Sequence, residues 1–86
     1  MDRPDDVIAK VASIYAQVLD LQVVGPDDDF MTLNGDSHQA VLLALELEAA
    51  FGVPVPVETI GDLGTVRRVA TWIAEQAASG SGRDTR

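Results

Sequence analysis

Residues 36–52 read Asp36-Ser37-His38-Gln39-Ala40-Val41-Leu42-Leu43-Ala44-Leu45-Glu46-Leu47-Glu48-Ala49-Ala50-Phe51-Gly52, a helix with both ends marked. Asp36 is placed to accept from backbone N–H groups as N-cap, and Gln39, three residues on, reaches back as the other half of a capping box. Gly52 supplies the stop. Successive helical residues turn by about 100°, which sets Ala40, Leu43, Ala44, Leu47, Ala50 and Phe51 on one stripe, the face expected to be buried. His38, Val41, Leu42, Leu45 and Ala49 fall away from it, so this helix carries more apolar surface than one core contact requires.

On the N-terminal side, residues 21–35 lack periodicity. Gly25-Pro26 followed by Asp27-Asp28-Asp29 predicts a long acidic loop, anchored by Phe30 and Leu33 and carrying Val23. Before it, Val7, Val11, Ile14 and Val18, flanked by Ile8 and Tyr15, predict a helix over about residues 5–20; Pro4 suits its first turn, and Asp5 and Asp6 its dipole. On the C-terminal side, Val53-Pro54-Val55-Pro56 reads as an extended connector. Residues 59–63 allow one short helical turn, ended by Gly64. Thr65 then caps a last helix, in which Val66, Val69, Ala70, Ile73 and Ala77 form a stripe with Trp72 on its flank. The expected fold is all-α, a small bundle of three to four helices with a long loop between the first two. Residues 1–78 form the domain, and the Gly/Ser-rich residues 79–86 a flexible tail.

Composition narrows the function. Eighty-six residues make one small domain, and fourteen Asp and Glu against six Lys and Arg give a net charge of −8. Such a surface repels nucleic acid and anionic membrane and suits basic protein partners. With no cysteine and only His38, neither a disulfide framework nor a zinc site can be assembled. Asp27–Asp29 lack the spaced ligands of a calcium loop, and no metal site is expected. No leader and no membrane-spanning run is seen, so a cytoplasmic location is expected.

Chemistry concentrates at Asp36-Ser37-His38. If Asp36 takes the cap, Ser37 is released to point outward from the first helical position, where free N–H groups and the helix dipole favour a phosphate. The plainer reading makes Ser37 itself the cap or an ordinary first-turn polar residue. A hydrolase reading fails, because adjacent Ser37 and His38 diverge by about 100° on a helix and no second histidine is present to act as base. No catalytic residue is assigned.

Residues 29–69 resemble the carrier-protein family, the acyl and peptidyl carriers of fatty-acid, polyketide and nonribosomal-peptide synthesis. The resemblance rests on Asp29-Phe30-Met31-Thr32-Leu33-Asn34-Gly35-Asp36-Ser37, then Leu43, Leu47-Glu48-Ala49-Ala50-Phe51-Gly52-Val53, Pro56 and Thr65-Val66. It implies a bundle of acyl-carrier-protein type, in agreement with the three to four helices that periodicity predicts. It also implies that Ser37, within the Gly35-Asp36-Ser37 motif, is esterified by 4′-phosphopantetheine from coenzyme A, whose thiol then carries an acyl or aminoacyl thioester. A phosphopantetheinyl transferase would be one partner. Others would be loading and processing enzymes: adenylation enzymes or acyltransferases, ketosynthases or condensation enzymes.

Two departures stand out. Asn34 replaces the first glycine of the Gly-Gly form, a mild change because Asn tolerates left-handed backbone. His38 replaces the apolar residue that usually follows the serine. His38, Val41, Leu42, Leu45 and Glu48 are the expected partner-recognition residues, with Val41 and Leu45 foremost. Their apolar surface is closer to polyketide and nonribosomal-peptide carriers than to the acidic face of free-standing fatty-acid carriers. A fatty-acid role and an unmodified interaction module stay open as alternatives. A monomer is expected; the start methionine and short polar tail suggest a free-standing protein.

Overall fold

Four helices follow one another through residues 4–83, the residues that the computed structural model describes: α1 (Pro4–Leu19), α2 (Ser37–Phe51), α3 (Val57–Leu63) and α4 (Val66–Arg83). Among the described residues the only β pairing is a single bridge between Asp29 and Thr65. The all-α bundle read from periodicity is therefore the fold.

Helix α1 ends without a glycine. Asp20 takes the left-handed conformation at φ 59°, and the Leu21 N–H reaches back to the Ala16 carbonyl at 2.8 Å. This is the six-to-one bond of a Schellman stop. Val7, Val11, Ile14, Tyr15 and Leu19 enter the core. Tyr15, expected on the flank, is fully buried, whereas Val18 is only half-buried.

Helix α2 lays Ala40, Leu43, Ala44 and Leu47 into the core. Phe51 is half-buried, and Ala50, expected on the buried stripe, is exposed. Lys10 stands 5.8 Å above the Phe51 ring, a cation–π contact that joins α1 to the last turn of α2. Extended residues 54–56 bury Val55. Helix α3 then starts at Val57, earlier than the expected Thr59, because Pro56 at φ −63° is already set for a helix entrance.

Helix α4 buries Val66, Val69, Ala70 and Ile73, while Ala77 is exposed and Trp72 half-buried. The core stripe fades where the helix outruns its neighbours. Helical backbone continues through Ser79–Arg83, past the boundary expected at residue 78, because extending an existing helix adds a hydrogen bond per residue without a new nucleus. Of the expected tail, residues 84–86 lie outside the described residues.

The first turn of α4 is tied to the acidic loop. The Val66 N–H donates to the Asp28 carbonyl at 3.2 Å and the Arg67 N–H to the Pro26 carbonyl at 2.8 Å. The Arg68 N–H donates to Thr65 Oγ1 at 3.2 Å, so Thr65 is the cap the sequence predicts. Three donors that a helix start leaves without intrahelical partners are thus satisfied.

Candidate functional site

Asp36, extended at φ −113° and ψ 178°, caps α2. Its Oδ1 accepts the Gln39 N–H at 2.8 Å, and Gln39 Oε1 accepts the Asp36 N–H at 3.1 Å. The capping box is complete. Ser37, freed from capping, is exposed at the first helical position. Among the described residues neither its hydroxyl nor the N–H groups of Ser37 and His38 have a hydrogen-bond partner. A nucleophilic oxygen beside unspent backbone donors at the positive end of a fifteen-residue helix fits a phosphate ester by its chemistry.

The approach to Ser37 is shaped by Phe30. This ring is buried and meets Tyr15 edge-on, with centroids 6.3 Å apart and planes at 86°. Its tip lies against Gly35, where a Cβ would overlap the ring. Gly35 is therefore required by close approach. Before it, Asn34 turns the chain at φ 66°, the left-handed geometry for which Asn is suited. The Gly35 N–H donates to the Phe30 carbonyl at 3.0 Å, closing a tight loop that delivers Asp36 to its capping position.

The three aspartates of the loop, which composition alone marks as a solvated charge run, each hold a specific contact. Asp27 Oδ1 accepts from Arg67 Nε at 3.0 Å, an exposed ion pair. That hydrogen bond, with the attraction between the charges, holds the Asp27 carboxyl below its ordinary range. Asp28 Oδ2 accepts the Gly25 N–H at 2.8 Å, and Asp29 Oδ1 the Met31 N–H at 2.9 Å. Among the described residues no cluster of three or more His, Cys, Asp or Glu is arranged to hold a metal ion.

Sequence reasoning missed the junction at Gly64. With φ 75° and ψ −61°, and the Thr65 N–H on the Leu63 carbonyl at 2.8 Å, Gly64 forms a positive-φ γ-turn, a rare and strained conformation. Its carbonyl accepts two hydrogen bonds, from the Tyr15 hydroxyl at 2.7 Å and from the Phe30 N–H at 3.0 Å. Burial, and secondarily the charge of Asp29, push the Tyr15 phenol well above its ordinary pKa. The local hint was a glycine after a short helix; nothing near it pointed to Tyr15, 49 residues away.

The outward face of α2 is as apolar as its sequence predicts. Val41, Leu42 and Leu45 are 43%, 40% and 56% exposed, and His38 and Ala49 are exposed beside them. Leu42 leans toward α1, where it lines a shallow groove with Gln17, Val18 and Glu46. Glu48 behaves differently. It is half-buried, and its Oε2 accepts the Val55 N–H at 2.8 Å, fastening the connector to α2. One of its carboxylate oxygens is thereby engaged inside the fold.

The family model for the phosphopantetheine attachment site matches residues 9–73, most of the chain and all of this geometry. The chain belongs to that family of carriers. Members carry a covalently attached 4′-phosphopantetheine and act as non-catalytic tethers. Among relatives of this carrier, a linear gramicidin synthase of Brevibacillus parabrevis is 39% identical over 72 residues, which cover 84% of the chain and 1% of the synthase. Tyrocidine synthase 3 of the same organism is 33% identical over 70 residues, covering 81% of the chain and 1% of its own length. The carrier thus spans a very small part of these relatives. In fold it is similar to BlmI, a type-II acyl carrier protein from Streptomyces verticillus involved in bleomycin biosynthesis, with a TM-score of 0.81 at 23% identity. That likeness covers 85% of this chain and 88% of BlmI. A peptidyl carrier protein superposes with a TM-score of 0.79 at 24% identity, covering 84% of this chain and 80% of the other. Among the described residues no helix is long and apolar enough to cross a membrane.

Proposed function

We propose that Ser37 is the attachment residue and that the protein carries acyl or aminoacyl intermediates in nonribosomal-peptide or polyketide biosynthesis. The observation that carries this reading is the division of labour at the start of α2, with Asp36 as cap and the Ser37 hydroxyl left exposed and unbonded. In the modification, Ser37 Oγ forms a bond to the pantetheine-side phosphorus of coenzyme A. The pyrophosphate bond breaks, adenosine 3′,5′-bisphosphate leaves, and the hydroxyl proton passes to a base of the transferase. The bound arm supplies a thiol for thioester formation. The N–H groups of Ser37 and His38 face the phosphodiester, and Gly35, lying against Phe30, lets the loop close tightly before Asp36.

His38, Val41, Leu42 and Leu45 form the surface that meets the transferase and then the loading and processing enzymes. Glu46 and the free oxygen of Glu48 frame it with negative charge that steers basic rims of those enzymes. The apolar character of this face favours secondary-metabolite partners over fatty-acid partners, and the synthase relatives point the same way. The carrier works as a cytoplasmic monomer in this reading.

The test is intact-mass measurement of the apo protein after incubation with coenzyme A, magnesium and a broad-specificity phosphopantetheinyl transferase. The mass of one phosphopantetheinyl group is gained by the wild type and not by Ser37→Ala. No gain by the wild type, or an equal gain by the variant, overturns the assignment.

A further inference from the structure

Within the core, the Tyr15 hydroxyl has no packing role that its ring does not already fulfil. Nor is it needed to satisfy the Gly64 carbonyl, which already accepts from the Phe30 N–H. A phenylalanine at position 15 would leave no buried polar atom without a partner. What the hydroxyl adds is direction. At 2.7 Å it fixes the Gly64 peptide in its γ-turn, and that carbonyl in turn fixes the Phe30 N–H at 3.0 Å. From Phe30 two paths lead to the start of α2. Its carbonyl accepts the Gly35 N–H at 3.0 Å, and its ring, held edge-on by Tyr15, presses its tip on Gly35. The next residue, Asp36, caps the helix through its carboxylate and receives the Ala40 N–H on its carbonyl at 2.9 Å.

We propose that Tyr15 is a positioning residue for Ser37, acting through the Gly64 carbonyl and Phe30 to set where α2 begins and where its first hydroxyl points. The consequence for modification rests on the reading of Ser37 as the attachment residue; the relay itself does not. Its physical content is a local equilibrium. With the hydroxyl removed, the Gly64 peptide can tilt, Phe30 loses its directional donor–acceptor lock, and the loop at 34–36 opens more often while the rest of the fold stays closed.

The experiment uses the full apo chain and three variants: Tyr15→Phe, Phe30→Leu and Ile73→Val. Ile73, 1% exposed on α4, makes none of the hydrogen bonds of the relay and serves as a control of modest destabilisation. Amide hydrogen exchange of Gly35 and Gln39 is measured by NMR, together with the rate of phosphopantetheine transfer from coenzyme A. In Tyr15→Phe both amides are expected to exchange about fivefold faster, the factor that one neutral hydrogen bond carries. Amides in the middle of α4 follow the global stability alone, and transfer slows by a similar factor. Phe30→Leu, which keeps the backbone bonds and loses the ring, accelerates the same two amides and decides the matter should Tyr15→Phe not fold. Changes at Gly35 and Gln39 no larger than those in Ile73→Val overturn the relay. A wild type that accepts no phosphopantetheine overturns the attachment reading, while the exchange data still decide the relay.

Discussion

Replacing Gly64 with alanine should be among the most damaging single changes of one methyl group in this protein. The glycine sits at φ 75° and ψ −61°, a region in which an L-residue costs about 1–3 kcal/mol. The added Cβ would also meet the Asp29 carboxylate, with the carboxyl carbon 3.0 Å away. Asp29 must then swing off, giving up its bond to the Met31 N–H, a further loss of about 0.5–1.5 kcal/mol. The expected total is about 2–4 kcal/mol, which lowers the melting temperature of a domain this size by roughly 10–25 °C. Urea titration at 25 °C with circular dichroism measures it, alongside Gly52→Ala as reference. Gly52 has φ 71° and ψ 22° with nothing within 4 Å of a Cβ, so alanine there meets only the left-handed backbone cost of about 1–2 kcal/mol. The double mutant Asp29→Ala/Gly64→Ala removes the collision and should show a coupling of at least about 0.5 kcal/mol relative to the two single changes. A Gly64→Ala loss equal to that of Gly52→Ala, with no coupling to Asp29, would refute the reasoning.

Three more outcomes follow from the same contacts. Glu48→Ala leaves the half-buried Val55 N–H without its acceptor and should destabilise by about 1–2 kcal/mol, whereas Glu48→Gln, which keeps an oxygen there, should lose less than about 1 kcal/mol by urea titration. Because the folded state raises the Tyr15 phenol, its contribution is fully present below the unfolded value of roughly 10 and is lost as pH rises toward the folded value. Stability should therefore fall from about pH 10 upward, until the folded phenol also ionises, by up to about 1.4 kcal/mol per unit, and Tyr15→Phe should flatten the slope. Asp27 has the opposite sign. Its lowered carboxyl stabilises above the unfolded carboxylate range and ceases to do so as pH falls through the folded value. An NMR titration should find the Asp27 carboxyl back in the ordinary range in Arg67→Ala or at high salt.

The helices were legible because their signals are local. Asp36 and Gln39 lie three residues apart, and Leu43, Ala44 and Leu47 repeat at helical spacing, so both cap and buried face of α2 could be read without knowing what packs there. Ser37 stood out for the same reason, since its release from capping is a property of its neighbour. Ala50 and Ala77 show the limit of periodicity, which gives the direction of a side chain and not how far the adjoining helix extends. The Gly64 junction was illegible on other grounds. It joins α1, the loop and the end of α3 through one carbonyl, and no local pattern records which distant hydroxyl will reach it. The contacts of Glu48 and the three aspartates were illegible too, because carboxylates that accept from backbone N–H groups or, as Asp27 does, from a distant arginine have the same composition as carboxylates that face water.

The capping of α2 by Asp36 also separates two equilibria that a serine cap would have joined. Had Ser37 closed the helix itself, esterifying its oxygen would have removed an acceptor from the folded state, and each change at that oxygen would have shifted the folding constant. With the carboxylate of Asp36 in that position, the oxygen proposed to react and the oxygen that holds the helix belong to different residues. On the proposed reading of Ser37 as the attachment residue, loading and unloading leave the Asp36 cap bond intact, so a change at that atom acts on folding only through the helix dipole and the free N–H groups of Ser37 and His38, and the same capped helix meets every enzyme.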